Sequence, residues 1–411
     1  MSPATYRAGA FTEAGERIGL DLVRALDLPD ALAAQWHVAL ALDFRDTSES
    51  VARLVDVAVG DRRESLRAIL AVDDRGALIA AEASARLGLP HNDPRSALAA
   101  RDKFVMRERL RAGGVPVPGY ARYETTIDPA TIAEEIEYPC VVKPLLLSGS
   151  RGVIRADDPA GFVRAFARTR RIVEATGDPG DVHCILVERF VPGVEVALEG
   201  LLTAGSLRTL ALFDKPDPLD GPFFEETIYV TPSRLPGHIQ AAIATRTAES
   251  AAAVGLREGP VHAELRIDLE REEIWMIELA GRSIGGLCSS VLEFGAGMGL
   301  EELILRHAAG IPLGSTERSD DAAGVMMIPI PKAGMLRCVE GMEAARAVEG
   351  ITGIEITTPL NGPIVPLPEG ESYLGFIFAR TSTPQGAEAA LREAHELLRF
   401  RIDPMIALHS R

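Results

Sequence analysis

Residues 262–286, HAELRIDLEREEIWMIELAGRSIGG, constrain this chain more than any other stretch. From Val261 to Ile267 apolar residues alternate with His262, Glu264 and Arg266, the period-2 pattern of a half-buried strand. Residues 274–279 are apolar except for Glu278, which suits a more deeply buried strand. With residues 269–273 as the connecting loop, the two strands form an antiparallel hairpin that sets Glu264 opposite Glu278. Their Cβ atoms would then lie roughly 5 Å apart. Two ionised carboxylates so placed repel, and need a cation between them or a shared proton. A hard cation held by one or two carboxylates together with phosphate oxygens meets that need. Two surface glutamates on opposite faces of a hairpin in another register remain the alternative at this point.

The rest of the chain sets bounds on what such a hairpin serves. A length of 411 residues suggests two or three domains. The net charge of −16 argues against a nucleic-acid groove. No apolar run reaches the ~18 residues of a membrane span. The opening MSPATYRAGAF lacks the basic and apolar regions of a secretory signal. Cys140, Cys184, Cys288 and Cys338 are widely spaced, with no zinc-ligand or redox spacing, and fit buried thiols in a reducing cytoplasm.

Residues 1–95 alternate helix and strand: helices over 10–17, 48–57 and 77–87, strands over 20–25, 38–42 and 68–72. That βαβ rhythm predicts a parallel sheet with covering helices. The chain enters on a helix where such a sheet ordinarily begins with a strand. A basic helix over 101–112 carries Lys103 and stops at Gly113-Gly114. The strand YPCVVKP delivers Lys143 into the loop LLLSGSRG, whose backbone N–H groups and Arg151 are able to cradle phosphate. Strands follow over 185–190, 194–198 and 207–213, and then a helix over 238–254. Gly295, Gly297 and Gly299 lack dinucleotide-binding spacing and read as a close-packed turn before a helix over 300–307. No P-loop, paired-histidine metal motif or nucleophile elbow is present. From 312 onward, strands over 324–330, 354–357 and 373–379 and an amphipathic helix after Thr383 form an α+β unit.

Lys103 on a basic helix, Lys143 ahead of a Gly/Ser loop, the strand ERFVPGVE, and two glutamates in tandem strands leading into ELAGRSIGG occur here in one order. That order resembles the ATP-grasp superfamily, and within it the carboxylate–amine ligases close to bacterial L-amino acid ligases, with biotin carboxylase more distant. The resemblance implies an ATP-grasp fold of mixed α/β and α+β character. It would comprise an N-terminal parallel-sheet domain (1–95), an ATP-grasp domain (96–311, with a mobile lid over 115–190) and a C-terminal α+β domain (312–411).

The resemblance also implies residue roles. Lys103 and Lys143 would hold the phosphates of ATP, and Ser148, Gly149, Ser150, Arg151 and Gly152 would close over them. Glu188 and the backbone of Val191 would meet adenine, and Glu195 the ribose. Glu264 and Glu278 would carry Mg²⁺, one ion or two, with Mn²⁺ as a substitute. Arg282 would stabilise the transferring phosphoryl group, Lys215 would add a γ-phosphate contact, and His262 would line the substrate side as a base. Where many relatives have Asn two residues after the second metal glutamate, this chain has Ala280, which bears on the number of ions. The implied activity joins a small carboxylate to an amine through an acyl phosphate in the cytoplasm, in a chain that is a candidate homodimer. Activation of bicarbonate, or ATP binding without catalysis, are the alternatives.

Overall fold

The computed structural model describes residues 1, 5–36, 38–60, 66–176 and 183–405. Its centre is an eight-stranded sheet in which every neighbouring pair is antiparallel. In spatial order the strands are Glu273–Ala280, Gly259–Asp268, Val194–Thr203, Ser206–Lys215, Ile228–Thr231, Ala322–Ile328, Gly375–Thr381 and Ile351–Ile356. The strands expected beyond residue 312 thus continue the same sheet as the glutamate hairpin.

Alternation along the sheet decides what faces the site. Val261, Ala263, Leu265 and Ile267 pack with Val196, Leu198, Ile239 and Ile243 against the helices Lys103–Ala112 and Gly237–Val254. The opposite parity sends His262, Glu264 and Arg266 to the other face, beside Glu195 and Glu199 of the neighbouring strand. Burying polar residues on that face demands internal partners, because a buried charge without one is too costly.

A second sheet of four antiparallel strands lies over this face, in the order Tyr120–Glu124, Cys184–Arg189, Cys140–Pro144, Ile154–Ala156. Phe162 and Phe166 of the helix Pro159–Thr176, both fully buried, weld the helix to this sheet. The N-terminal region holds a two-stranded parallel sheet, Ala25–Asp27 with Leu40–Leu42, and the helices Ala8–Arg17, Thr47–Val59 and Asp74–Leu87.

Several sequence expectations need correction. Residues 20–25 form a strand only at their last position, since Ile18 and Leu20 are tied back to the helix end and the strand starts at Ala25. Residues 68–72 adopt no strand; only Val72 of the five is buried, and among the described residues the segment has no sheet neighbour. The basic helix starts at Lys103 and runs to Ala112, while Arg101 ends a separate helix, Pro94–Arg101. Asp102 leaves helical geometry (ψ 111°) and its side chain accepts from the backbone N–H of Phe104 and Val105, so it caps the basic helix. The strands Tyr120–Glu124, Gly334–Glu340 and Arg399–Asp403 and the helix Pro159–Thr176 had no counterpart in the sequence reading. The glycines at 295–299 make a tight turn between two-residue strands, with Gly295 and Gly297 at φ 53° and 96°. Among the described residues no helix is long and apolar enough to cross a membrane.

Candidate functional site

Glu264 and Glu278 are direct partners across the hairpin. The loop is one residue shorter than expected, with Asp268 opposite Glu273, and a bulge between Glu264 and Leu265 restores the register. The extra residue is Ile277, whose carbonyl accepts a hydrogen bond from Arg107 Nη2 at 2.8 Å. Arg107 lies one turn after Lys103 on the same helix, so the bulge docks the hairpin onto the lysine-bearing helix.

Between the hairpin and the small sheet lies a cavity of about 90 Å³. Lys103, Lys143, Ser148, Ser150, Glu188, Val191, Glu195, Glu264 and Glu278 line it, joined by Glu226 and Arg266. Most of the residues singled out from the sequence therefore converge on one place. Gly149, Arg151, Gly152, Lys215, His262 and Arg282 do not line it. A nucleotide-sized ligand needs a cavity of ~300 Å³ or more, so the cavity in this arrangement is smaller than such a ligand.

Each lysine is held by a carboxylate. Lys103 Nζ donates to Leu147 O at 2.7 Å and lies 3.8 Å from Glu278. Lys143 pairs with Glu188, which also receives Arg107. Burial alone would raise the Glu188 carboxyl; Arg107 and Lys143 outweigh it and hold the group at about 2. Burial and the nearby Arg107 lower the Lys143 ammonium in spite of Glu188. The carboxylate expected at an adenine edge thus serves here to tie the small sheet to the helix.

On the central sheet the register itself builds a charge ladder. Glu195 is the cross-strand partner of both Lys215 and Arg266, and His262 is the partner of Glu199. Lys215 Nζ lies 2.8 Å from Glu195 and 3.4 Å from Glu264, and also pairs with Glu226. Lys215 ends a strand and is 7% exposed. Burial opposes its charge, yet three carboxylates raise its pKa well above the ordinary value. Burial pushes Glu226 up to about 7 against the pull of Lys215, with Glu264 adding to the rise. Tyr229 donates to Glu226 at 2.7 Å. Carboxylate oxygens of Glu195, Glu226 and Glu264 all lie within 4.8 Å of one another. Such an all-oxygen donor set suits a hard divalent cation.

His262, which the resemblance sets on the substrate side as a base, is buried between two carboxylates. Nδ1 meets Glu199, and Nε2 lies 3.3 Å from Glu264. Burial lowers its pKa, but the two carboxylates prevail and lift it to about 9. The two carboxylates thus favour its charged form. Glu199 also accepts from Ile284 N at 3.0 Å, which fixes the glycine-rich segment after the hairpin.

Arg282 is turned toward the N-terminal region. Nε and Nη2 donate to the two oxygens of Asp74 at 3.0 and 2.8 Å. Arg7, 3% exposed, supports the same segment from below, donating to Ser283 Oγ at 2.6 Å. Sequence pattern alone points to no role for Arg107, Arg266, Glu199, Asp74 or Arg7. Arg107 was within reach, since it stands four positions after Lys103; the others depend on partners distant in sequence.

The loop at 148–152 has three left-handed backbone positions: Gly149, Ser150 and Gly152 adopt φ of 62°, 55° and 71°. A Cβ at Gly152 would stand 2.8 Å from Pro144, so glycine is required there. The loop docks on the C-terminal region: Gly152 N donates to Pro368 O at 2.8 Å, and Arg151 lies 3.2 Å from Glu371. Arg168 grips Glu369 with two hydrogen bonds of 2.7 and 2.9 Å.

Comparison with known proteins places these features. Residues 136–291 match the ATP-grasp domain family, and residues 326–403 match the L-amino acid ligase C-terminal domain 2. The alanine–anticapsin ligase of Bacillus subtilis is 27% identical over 220 residues, which span 50% of this chain and 46% of that enzyme. This chain therefore spans about half the length of that relative. The crystal structure of an L-amino acid ligase from Bacillus licheniformis superposes with a TM-score of 0.80 at 24% identity, covering 96% of both chains. The biotin carboxylase domain of a Hydrogenobacter thermophilus 2-oxoglutarate carboxylase, solved with MgADP, ADP and bicarbonate, gives a TM-score of 0.67 at 17% identity. It covers 96% of this chain and 88% of that one. The two sheets that enclose the cavity, the order of the lysines and glutamates, and both domain matches agree: this chain carries an ATP-grasp domain followed by a C-terminal domain of the L-amino acid ligase type.

Proposed function

We propose that this protein is an ATP-dependent ligase that activates a small carboxylate, an amino acid, as an acyl phosphate and joins it to an amine, releasing ADP and phosphate. The observation that carries this reading is the convergence of Lys103, Lys143, Glu195, Glu226, Glu264 and Glu278 on one cavity under a glycine-rich loop. A carboxylate is a poor electrophile because an attacking amine would have to expel oxide. Transfer of the γ-phosphoryl group from ATP to a carboxylate oxygen converts that leaving group into phosphate. The transfer needs positioning and charge neutralisation more than covalent help.

In this reading Lys103 and Lys143 hold the triphosphate, exchanging their present carboxylates for phosphate oxygens. Ser148, Gly149, Ser150, Arg151 and Gly152 cover it through N–H groups and a guanidinium. Val191 and Glu188 lie at the base side and Glu195 at the ribose side. Lys215 moves from its carboxylates onto the γ-phosphate. Glu264 and Glu278, with Glu226 adjoining, fit Mg²⁺, which when bound screens the charge of the phosphates. Arg282 then faces the oxyanion of the tetrahedral adduct as the amine attacks. His262, already charged, orients Glu264 and takes no part as a base. The docked loop excludes water from an acyl phosphate that would otherwise hydrolyse. The division at 1–95, 96–311 and 312–411 belongs to the same proposal, with 115–190 as the moving part.

The test is phosphate release with MgATP across a panel of amino acids and amines, with mass spectrometry of the products. Release that needs an amino acid, and an amide-linked product, are expected. Release stimulated by bicarbonate alone would instead support a carboxylase-like reaction. Glu278→Gln should abolish release while leaving the melting temperature near that of the parent. Near-normal turnover in that variant would refute the assignment of Glu278.

A further inference from the structure

Asp74 and Arg282 form a two-bond ion pair between residues 208 positions apart. Asp74 is the first residue of the helix Asp74–Leu87, and Arg282 follows the strand Glu273–Ala280, so the pair bridges the N-terminal region and the site. Charges around the pair are satisfied elsewhere. Glu199 is engaged by His262 and Ile284 N, Glu278 lies by Lys103, and Arg7 holds Ser283 and Glu301. The side chains of Arg282 and Asp74 are 13% and 19% exposed, so a small molecule reaches them without opening the core. Beside Asp74 and Gly281 lies a cavity of about 600 Å³, walled by Ile69, Ala77, Ala81, Ala97 and Leu256 among others. Small side chains on two facing helices leave this space.

A guanidinium–carboxylate pair offers one cation and one anion. A ligand carrying only a carboxylate would take Arg282 and strand the Asp74 carboxylate without a partner, which is heavily penalised in a partly buried site. A zwitterion replaces both contacts at once: its carboxylate goes to Arg282 and its ammonium to Asp74. No charge is left unpaired, and the side chain has the adjacent cavity to occupy. We propose that Asp74 is a specificity-determining residue that reads the α-ammonium of an amino-acid substrate by exchanging partners with Arg282. This rests on the ligase reading for the role of Arg282.

The test is calorimetric titration of the full chain, with ADP and Mg²⁺ present, using three matched pairs. These are L-alanine and propanoate, L-leucine and 4-methylpentanoate, and L-phenylalanine and 3-phenylpropanoate. At least one amino acid should bind roughly tenfold or more tightly than its desamino partner, the scale of one unpaired buried polar group. Asp74→Asn should erase that preference by weakening the amino acid, and Asp74→Glu should keep a preference. Equal weakening of both members by Asp74→Asn would reduce Asp74 to a support for Arg282 and overturn the proposal. A parent protein that shows no preference, or binds none of the three amino acids, would overturn it as well. Phosphate release measured on the same protein preparations, with MgATP in place of ADP and an amine added, separates the two claims. An Asp74-dependent preference without release sinks the ligase reading alone; release without a preference sinks the ammonium reading alone.

Discussion

Removing the charge of Glu188 should destabilise the junction between the small sheet and the rest of the molecule. Glu188 is 3% exposed and stands between Arg107 and Lys143, so Glu188→Gln leaves two buried cations facing a neutral amide. Breaking a buried ionic group in this way costs about 3–5 kcal/mol. Linkage gives an independent figure. A carboxyl held at about 2 against an ordinary 4.5 corresponds to about 3 kcal/mol of stability at pH 7. Because the folded pKa is depressed, that contribution is complete above pH 4.5 and is lost as pH falls toward 2. More than half of it has gone by pH 3. Urea unfolding followed by Trp275 fluorescence reads the junction, since the Arg189 guanidinium at the end of the same small-sheet strand lies 5.7 Å from the Trp275 ring. The gap between parent and variant should be about 3 kcal/mol or more near pH 7 and should narrow by roughly 2 kcal/mol by pH 3. A gap below about 1 kcal/mol at pH 7, or one independent of pH, would refute the argument that Glu188 is the anchor.

Three further outcomes follow from other parts of the structure. Gly193 has φ 115°, and a Cβ there would stand 2.2 Å from Ile267 O, a backbone atom, so Gly193→Ala should lose more than about 2 kcal/mol in thermal unfolding. Arg168 and Glu369 are 37% and 43% exposed, so their coupling in a double-mutant cycle should be only about 0.5 kcal/mol. Arg168→Glu should nonetheless speed amide exchange over residues 145–153, and adding Glu369→Arg should slow it again; unchanged exchange would detach this pair from loop docking. Cys140 is fully buried and its thiol is pushed up to about 12 by burial, while Cys288 is 2% exposed. Iodoacetamide at pH 8 should label Cys184 and Cys338 well before either; early labelling of Cys140, read by mass spectrometry, would contradict this packing.

The glutamate hairpin shows how far local pattern reaches. Period-2 alternation in residues 261–267 identified both the strand and its two faces, and the opposition of Glu264 and Glu278 is correct. The expected route to it was not: a shorter loop and a bulge at Ile277 cancel, and a bulge leaves no mark in hydrophobic pattern when the extra residue is itself apolar. Residues 68–72 illustrate the opposite failure. AILAV has strand composition, but a strand needs a neighbour to accept its backbone hydrogen bonds, and among the described residues none is placed beside it. The helix Pro159–Thr176 does carry a local signal, since Pro159 opens it and Phe162 and Phe166 repeat at i, i+4.

The sequence by itself determined which residues carry charge chemistry and in what order, because strand alternation and glycine-rich turns are local properties. It placed Lys103, Lys143 and the glutamates in one family arrangement, and the structure gathers them around one cavity. Only the tertiary structure decided what neutralises each charge. Glu188 meets Arg107 across 81 positions, Glu199 meets His262 across 63, and Arg282 meets Asp74 across 208. Those partners fix protonation, and so turn His262 from a candidate base into a charged bridge and Arg282 into half of an ion pair. Coulomb interactions act through space with a strength set by burial, and neither the separation nor the burial of two groups is written in the residues between them.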